Sequence, residues 1–378
     1  MERSRTHAMD MVLKKFIRTS LGSSSGLGSS SGLVTSLGLS LGFSLGMLIW
    51  HGPPVSAAEK ATNEKTSSNE LASEKTSSAL SGQITKARPK IGLALGGGGM
   101  RSAACVGVLK VLDDEGIPVD VLVGSGMGAV VGGLYSAGVT PKHIEEQFTE
   151  KKLMSAYLTI PLKLRMLIIP LFYSPRLVGI EPYDGLYRGK KFATYLNKQV
   201  PETERNIEDL KVPFGAVAVN LLDGKTVTLS KGNLGKALQA SAAIPALRKP
   251  VKLSDGIHDG LYVDGGVLVN IPVTEAKKLG ADIVIAVSVD ESLGAVAEKD
   301  FHKIGSVSHR VITLHFKKVD ADQLAQADYV IRPNVDGIGM VSTKSSEAKR
   351  AIESGEMAAR SAIPAIRELI EEFQKRHN

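Results

Sequence analysis

Two strand–glycine–helix transitions in close succession constrain this chain more than any other feature. Ile91-Gly-Leu-Ala-Leu95 is a short apolar run stopped by four glycines, Gly96 to Gly99, after which Val106, Leu109 and Leu112 recur at helical spacing up to Gly116. The pattern then repeats: a strand predicted over 119–123, the cluster Gly124-Ser125-Gly126-Met127-Gly128, and a helix over 129–137 ended by Gly138. Strands that are apolar throughout and feed helices are covered on both faces, so the reading is an α/β chain with a mostly parallel sheet. Further strands are expected at 214–219 and 282–289, with weaker candidates at 311–315 and 329–331. Amphipathic helical sequence over 345–375, interrupted near Pro364, closes the chain.

Composition narrows the setting. The 378 residues are 43% apolar and 22% charged, enough for one large domain or two. Glycines cluster instead of recurring in triplets, which excludes a collagen-like fibre. The formal charge of +7 falls partly in a basic leader. So small a surplus argues against a nucleic-acid binder and allows a mild attraction to anionic membrane surfaces. A single cysteine, Cys105, excludes an intramolecular disulfide and a thiolate zinc site. No metal ligands recur at recognisable spacing, and neither a metal nor a cofactor is expected.

Residues 1–57 read as a signal peptide: Arg3, Arg5, Lys14, Lys15 and Arg18 precede Gly/Ser repeats and an apolar run over 33–50, with cleavage after Ala57 or Ala58. The expectation is export from a bacterial cell, an uncleaved anchor being the alternative. Residues 58–88 are rich in Ser, Thr, Glu and Lys, with too few apolar side chains to offset their ordering entropy, and are expected to be a disordered linker. The folded domain is then 89–378, with a cap segment over 151–192. In the cap, Leu158, Ile160, Leu162 and Leu164 alternate with Lys163 and Arg165, while Pro161, Pro170 and Pro175 exclude a spanning helix. Such a segment suits contact with a lipid surface or an acyl channel, or else an ordinary buried cap.

The first glycine turn, Gly96-Gly97-Gly98-Gly99-Met100-Arg101-Ser102, places unpaired backbone N–H groups at a helix start, which suits an anion. A P-loop would end in Gly-Lys-Ser/Thr, and a dinucleotide fingerprint would need glycine where Arg101 or Ser102 stands. An oxyanion hole for acyl transfer and a merely tight turn remain. The second turn lies where a nucleophile elbow would. Gly124, Ser125 and Gly128 permit a sharp reversal, yet the middle position is Gly126, and a shift of register to Ser125 puts Val123 and Met127 where glycines belong. Asp264, ending the run Leu261-Tyr262-Val263 before Gly265-Gly266, could accept a nucleophile's proton or simply form an Asx turn.

In this order the segments resemble the patatin-like phospholipase family over about residues 90 to 335. The resemblance rests on the glycine turn with Arg101, on Gly107-Val108-Leu109, Glu115-Gly116-Ile117 and Leu134-Tyr135, and on Ala240-Ser241-Ala242-Ala243-Ile244-Pro245. It rests further on Asp264-Gly265-Gly266-Val267 with Asn270 and Pro272, and on Gly280-Ala281-Asp282. It implies a three-layer α/β/α sandwich and acyl-ester hydrolysis by a Ser–Asp dyad without histidine; none stands beside these motifs in the sequence.

Carried over, the resemblance makes Gly97, Gly98, Gly99 and Arg101 the oxyanion turn and Asp264 the base, and the nucleophile position falls on Gly126. Ser102 replaces a usual glycine, and Cys105 stands where histidine is common. Glycine at the elbow keeps the turn and deletes the attacking atom. Ser125 leaves the strand end in another direction, and a nucleophile misplaced by about 1 Å loses around a hundredfold in rate. Two functions follow as expectations: a lipid acyl hydrolase acting on phospholipid or another acyl-ester lipid, or a non-catalytic lipid- or acyl-binding protein at a membrane surface.

Overall fold

A computed structural model describes residues 88–160, 184–303 and 305–377. Within them, β1 (Ile91–Leu95), β2 (Val121–Ser125), β3 (Phe214–Asn220), β4 (Lys225–Leu229), β5 (Val251–Leu253), β6 (Gly260–Asp264), β7 (Ile283–Val287) and β8 (Tyr329–Ile331) form one sheet. The central strands are apolar along their whole length because successive side chains enter different cores. Leu93, Leu95, Ile285 and Val287 pack on one face, and Ala94, Val284 and Ala286 on the other.

The first face is covered by α1 (Ala103–Asp114), α2 (Gly126–Ser136), α3 (Pro141–Thr149), α4 (Lys152–Tyr157), α5 (Lys190–Lys198) and α6 (Leu234–Ser241). Helices α7 (Val273–Lys278) and α8 (Ser306–Leu324) lie over the second, and α9 (Ser345–Arg376) returns to the first. This is the three-layer α/β/α arrangement. Strands β3, β2, β1, β7 and β8 run parallel in that spatial order. The parallel character stops at β3, which pairs antiparallel with β4 and β6, and β5 pairs antiparallel with β6.

Several boundaries differ from the sequence expectation. Strand β2 starts two residues late, because Asp120 stands outside it, with its carboxylate accepting from the Ile91 amide and from Arg88. Helix α2 begins at Gly126, not at 129, so strand passes directly into helix at the elbow. Residues 311–315, expected as a strand, lie inside α8: their β-branched side chains favour a strand, but the helix buries Thr313 and Asp320, the latter against Asn270 and Ile271, and tertiary burial overrides propensity. The interruption expected at Pro364 is absent. Pro364 and Arg360, whose carbonyl loses its donor, both lie on the exposed side of one continuous helix, where water satisfies the freed group.

The expected leader, nearly all of the linker and the middle of the cap fall outside the described residues; α4 and the start of α5 belong to the cap's two ends. Among the described residues no helix is long and apolar enough to cross a membrane.

Candidate active site

The site is assembled by a division of one strand edge. Strand β4 occupies one edge of β3 over Ala216–Asn220, which leaves the other edge to two strands arriving from opposite directions. Parallel β2 pairs along it as far as Val217↔Ser125, and antiparallel β6 begins at Ala218↔Asp264. Adjacent residues of β3 therefore bring the end of β2 against the end of β6, although Ser125 and Asp264 are far apart in sequence. Gly126 follows as the first residue of α2, at φ +57, with its amide donating to Ser241 Oγ at 3.1 Å. Ser241 in turn donates to the Val217 carbonyl at 2.6 Å, which ties the elbow to the same strand.

A Cβ on Gly126 would lie 3.2 Å from Asp264 Oδ2, 3.4 Å from Oδ1 and 3.4 Å from Gly97 Cα. Elbow, carboxylate and glycine-rich turn thus converge on one point. Gly128 permits the approach, since a Cβ there would stand 2.5 Å from the Gly96 carbonyl oxygen. Asp264 is 9% exposed, and its Oδ1 accepts the Gly266 amide at 2.8 Å. Burial pushes its carboxyl up to about 7, with that single amide opposing the shift. A carboxyl poised there can take a proton from a neighbouring hydroxyl near neutral pH and return it.

In the glycine turn the expectation of successive free amides narrows. The Gly97 amide is engaged by Asn270, at 3.1 Å to Oδ1 and 3.4 Å to the carbonyl, whereas the amides of Gly98 and Gly99 have no acceptor among the described residues. Gly99 is at φ +61, and a Cβ there would meet the Met340 carbonyl oxygen at 2.0 Å. Arg101 does not face the site. Buried at 2% exposure, its Nε donates to the Ile338 carbonyl at 3.0 Å and Nη2 lies 3.4 Å from Glu291. It therefore anchors the chain near Met340 behind the turn. Ser102, in place of the usual glycine, folds its hydroxyl back onto the Gly96 carbonyl at 3.2 Å.

Support for the turn comes from Asn270, which the sequence offered only as part of the family resemblance, and from two carboxylates that the sequence reading left out. Asn270 Nδ2 donates to Asp320 at 3.0 Å and to Asp290 at 3.4 Å, and Asp320 Oδ1 accepts the Ile271 amide at 2.9 Å. Burial and the proximity of Asp290 push the Asp320 carboxyl up to about 7. Misreading 311–315 as strand hid this contact, because only a helix carries Asp320 to that position. The same helix brings His315 to the Asp-Gly-Gly turn, where its Nε2–H donates to the Val267 carbonyl at 2.8 Å. A histidine is near in space, then, but it is committed to backbone.

Ser125 is fully buried, and its hydroxyl has no partner among the described residues. It lies beneath the turn: a Cβ on Gly265 would come within 2.5 Å of the Ser125 Oγ. Cys105 is buried in α1, its thiol pushed up to about 12 by desolvation. Among the described residues no group of three His, Cys, Asp or Glu could hold a metal.

Comparison with protein families matches residues 93–277 to "Patatin-like phospholipase", an interval containing the glycine turn, the elbow and Asp264. Residues 93–277 belong to the patatin-like phospholipase family. An uncharacterized NTE family protein of Mycobacterium tuberculosis is 34% identical over 207 residues, covering 54% of this chain and 50% of that protein. A patatin-like phospholipase domain-containing protein of Caenorhabditis elegans is 31% identical over 215 residues, 57% of this chain and 14% of its own length. The chain thus spans half or less of the length of these relatives. Among solved structures it is similar to VipD from Legionella pneumophila, at 14% identity and a TM-score of 0.41, covering 74% of this chain and 67% of that one.

Proposed function

We propose that this chain is a patatin-like lipid acyl-hydrolase scaffold that holds acyl-ester lipids at a site lacking its attacking oxygen. The observation that carries the reading is the direction of the missing side chain: the Cβ position of Gly126 lies 3.2 Å from Asp264 Oδ2. A serine hydroxyl built there would reach the carboxylate within one further bond. Asp264 would take its proton as the oxygen attacked the ester carbonyl, and the amides of Gly98 and Gly99, without an acceptor among the described residues, would receive the resulting oxyanion. The proton would then pass to the departing alcohol, and water would release the acyl group by the same route. With glycine in place, no acyl-enzyme can form. Asp264 can still activate water against a bound ester, at a slow rate. The basic leader and the apolar, lysine- and arginine-containing cap sequence support a role at a membrane surface after export.

Fatty-acid release by the full chain, measured beside Gly126→Ser, tests the proposal. Gly126→Ser should exceed the parent by at least about a hundredfold, and Asp264→Ala in that background should remove the gain. Its activity should rise with pH up to about 7, as Asp264 loses its proton. Rapid turnover by the parent chain would place the nucleophile elsewhere and overturn the reading.

A further inference from the structure

Away from this centre, Arg248 is buried at 2% exposure, and among the described residues no Asp or Glu acts on it. Its guanidinium carbon lies 4.3 Å over the Tyr157 ring and 5.1 Å from the Phe192 ring centroid. Nη1 donates to the Tyr157 carbonyl at 2.7 Å, while Nη2 has no hydrogen-bond partner among the described residues. A desolvated cation left unpaired is among the costlier things a fold can contain.

A cavity of about 310 Å³ opens beside it, lined also by Arg188, Lys190 and Lys191 and, among the described residues, by no acidic one. The cavity lies at the start of α5, a nine-residue helix whose N-cap, Gly189, is left-handed and offers no side-chain cap. The amides of Lys190 and Lys191 have no acceptor among the described residues. Arg248 Nη2 stands at this helix end, where a Cβ on Gly189 would come within 2.6 Å of it. Lysines in a first turn oppose the helix dipole, which favours acids there. Each of these arrangements is unfavourable alone, and a single bound anion would relieve all of them.

We propose that this pocket is a binding site for a phosphoryl anion. Several oxygens and a charge near −2 match a guanidinium, two ammonium groups and two open helix-start amides better than a lone carboxylate would. The site is distinct from the Asp264 centre but close to it. Tyr157, on which Arg248 stacks, donates its hydroxyl to the Ala242 carbonyl at 2.8 Å, and the next carbonyl, that of Ala243, accepts the Asp264 amide at 3.0 Å. The inference does not depend on the role of Gly126, because it concerns binding and not turnover.

The phosphoryl group could belong to a lipid head group or to a free phosphate compound, and the experiment separates them. Binding of inorganic phosphate and of glycerol 3-phosphate to the full chain is measured by calorimetry, and binding to phosphatidylcholine vesicles with and without phosphatidylglycerol by co-sedimentation. Lys190→Ala/Lys191→Ala, which changes exposed side chains, is compared with Lys225→Ala/Lys231→Ala, which removes equal charge elsewhere; Arg248→Gln is added if it folds. Loss of about tenfold or more in soluble-phosphate affinity, confined to the first variant, supports the site with a free phosphate as ligand. The same loss seen only on anionic vesicles supports it with a lipid head group. No binding of either probe, or equal losses in both double variants, overturns it.

Discussion

At the scale of single residues, the decisive pair is a glycine and a protonatable carboxyl. Gly126 is at a positive φ, where a side chain costs about 1–3 kcal/mol, and its Cβ would press on Asp264. Gly126→Ser should therefore unfold at lower denaturant than the parent even as it gains turnover. Asp264 has the opposite leverage on stability. Its carboxyl titrates near 7 in the fold and near 3.8 when exposed, so between about pH 4 and 7 the native state retains a proton that the unfolded chain has released. Each rise in pH across that window weakens the fold, and above it the penalty is constant. Asp264→Asn should accordingly be more stable than the parent at pH 8, by a few kcal/mol at most, with the difference vanishing towards pH 4 in urea titrations. Cys105, buried and with its thiol near 12, should resist an aromatic disulfide reagent until the chain is denatured. Gly126, Asp264 and the glycine turn were legible because each interrupts a periodic segment with a residue type of restricted use. Asn270 on Gly97 and Ser241 on Gly126 were not legible as partners, because a hydrogen bond between residues 173 or 115 positions apart leaves no local pattern.

Among the elements, α1 and α9 show how packing can reverse propensity. They cross at a pair of glycines: a Cβ on Gly107 would lie 2.1 Å from the Ile352 carbonyl oxygen, and one on Gly355 2.0 Å from that of Ala104. Alanine favours a helix over glycine by about 1 kcal/mol, yet Gly355→Ala should destabilise by roughly 2–3 kcal/mol, read from the urea midpoint, because the helices must separate. A gain in stability would show that the crossing is loose. Strands β1, β3 and β7 could be read from continuous apolar runs of the right length. Strand β4 escaped although Asp223-Gly224 followed by alternating Lys225–Leu229 is a hairpin pattern. Helix α8 was misjudged for the reverse reason: its buried positions, Thr313 and Asp320, are polar, so the face that packs carries no apolar stripe.

Over the whole molecule, α9 covers a face made mostly of earlier sequence: α1, α3 and β8 lie against it, and Ala348, Ala351, Ile352, Ala359 and Ile366 are buried there. Removing residues 345–378 should leave a chain that binds a hydrophobic dye and loses its cooperative unfolding transition, monitored by circular dichroism; a sharp transition would mean that the remainder folds alone. The alternation of strands and helices was enough to anticipate a mostly parallel sheet covered on both faces. The antiparallel margin was not anticipated, since strand direction is decided by which edge is vacant once β2 has stopped.

The glycine crossing also sets a timetable. Helix α1 leaves the ribosome more than two hundred residues before the partner that its bare backbone awaits. At about 5–20 residues per second, that is an interval of roughly ten to fifty seconds. Throughout it, the nascent chain displays an unclosed apolar surface, available to any holding factor that meets it first.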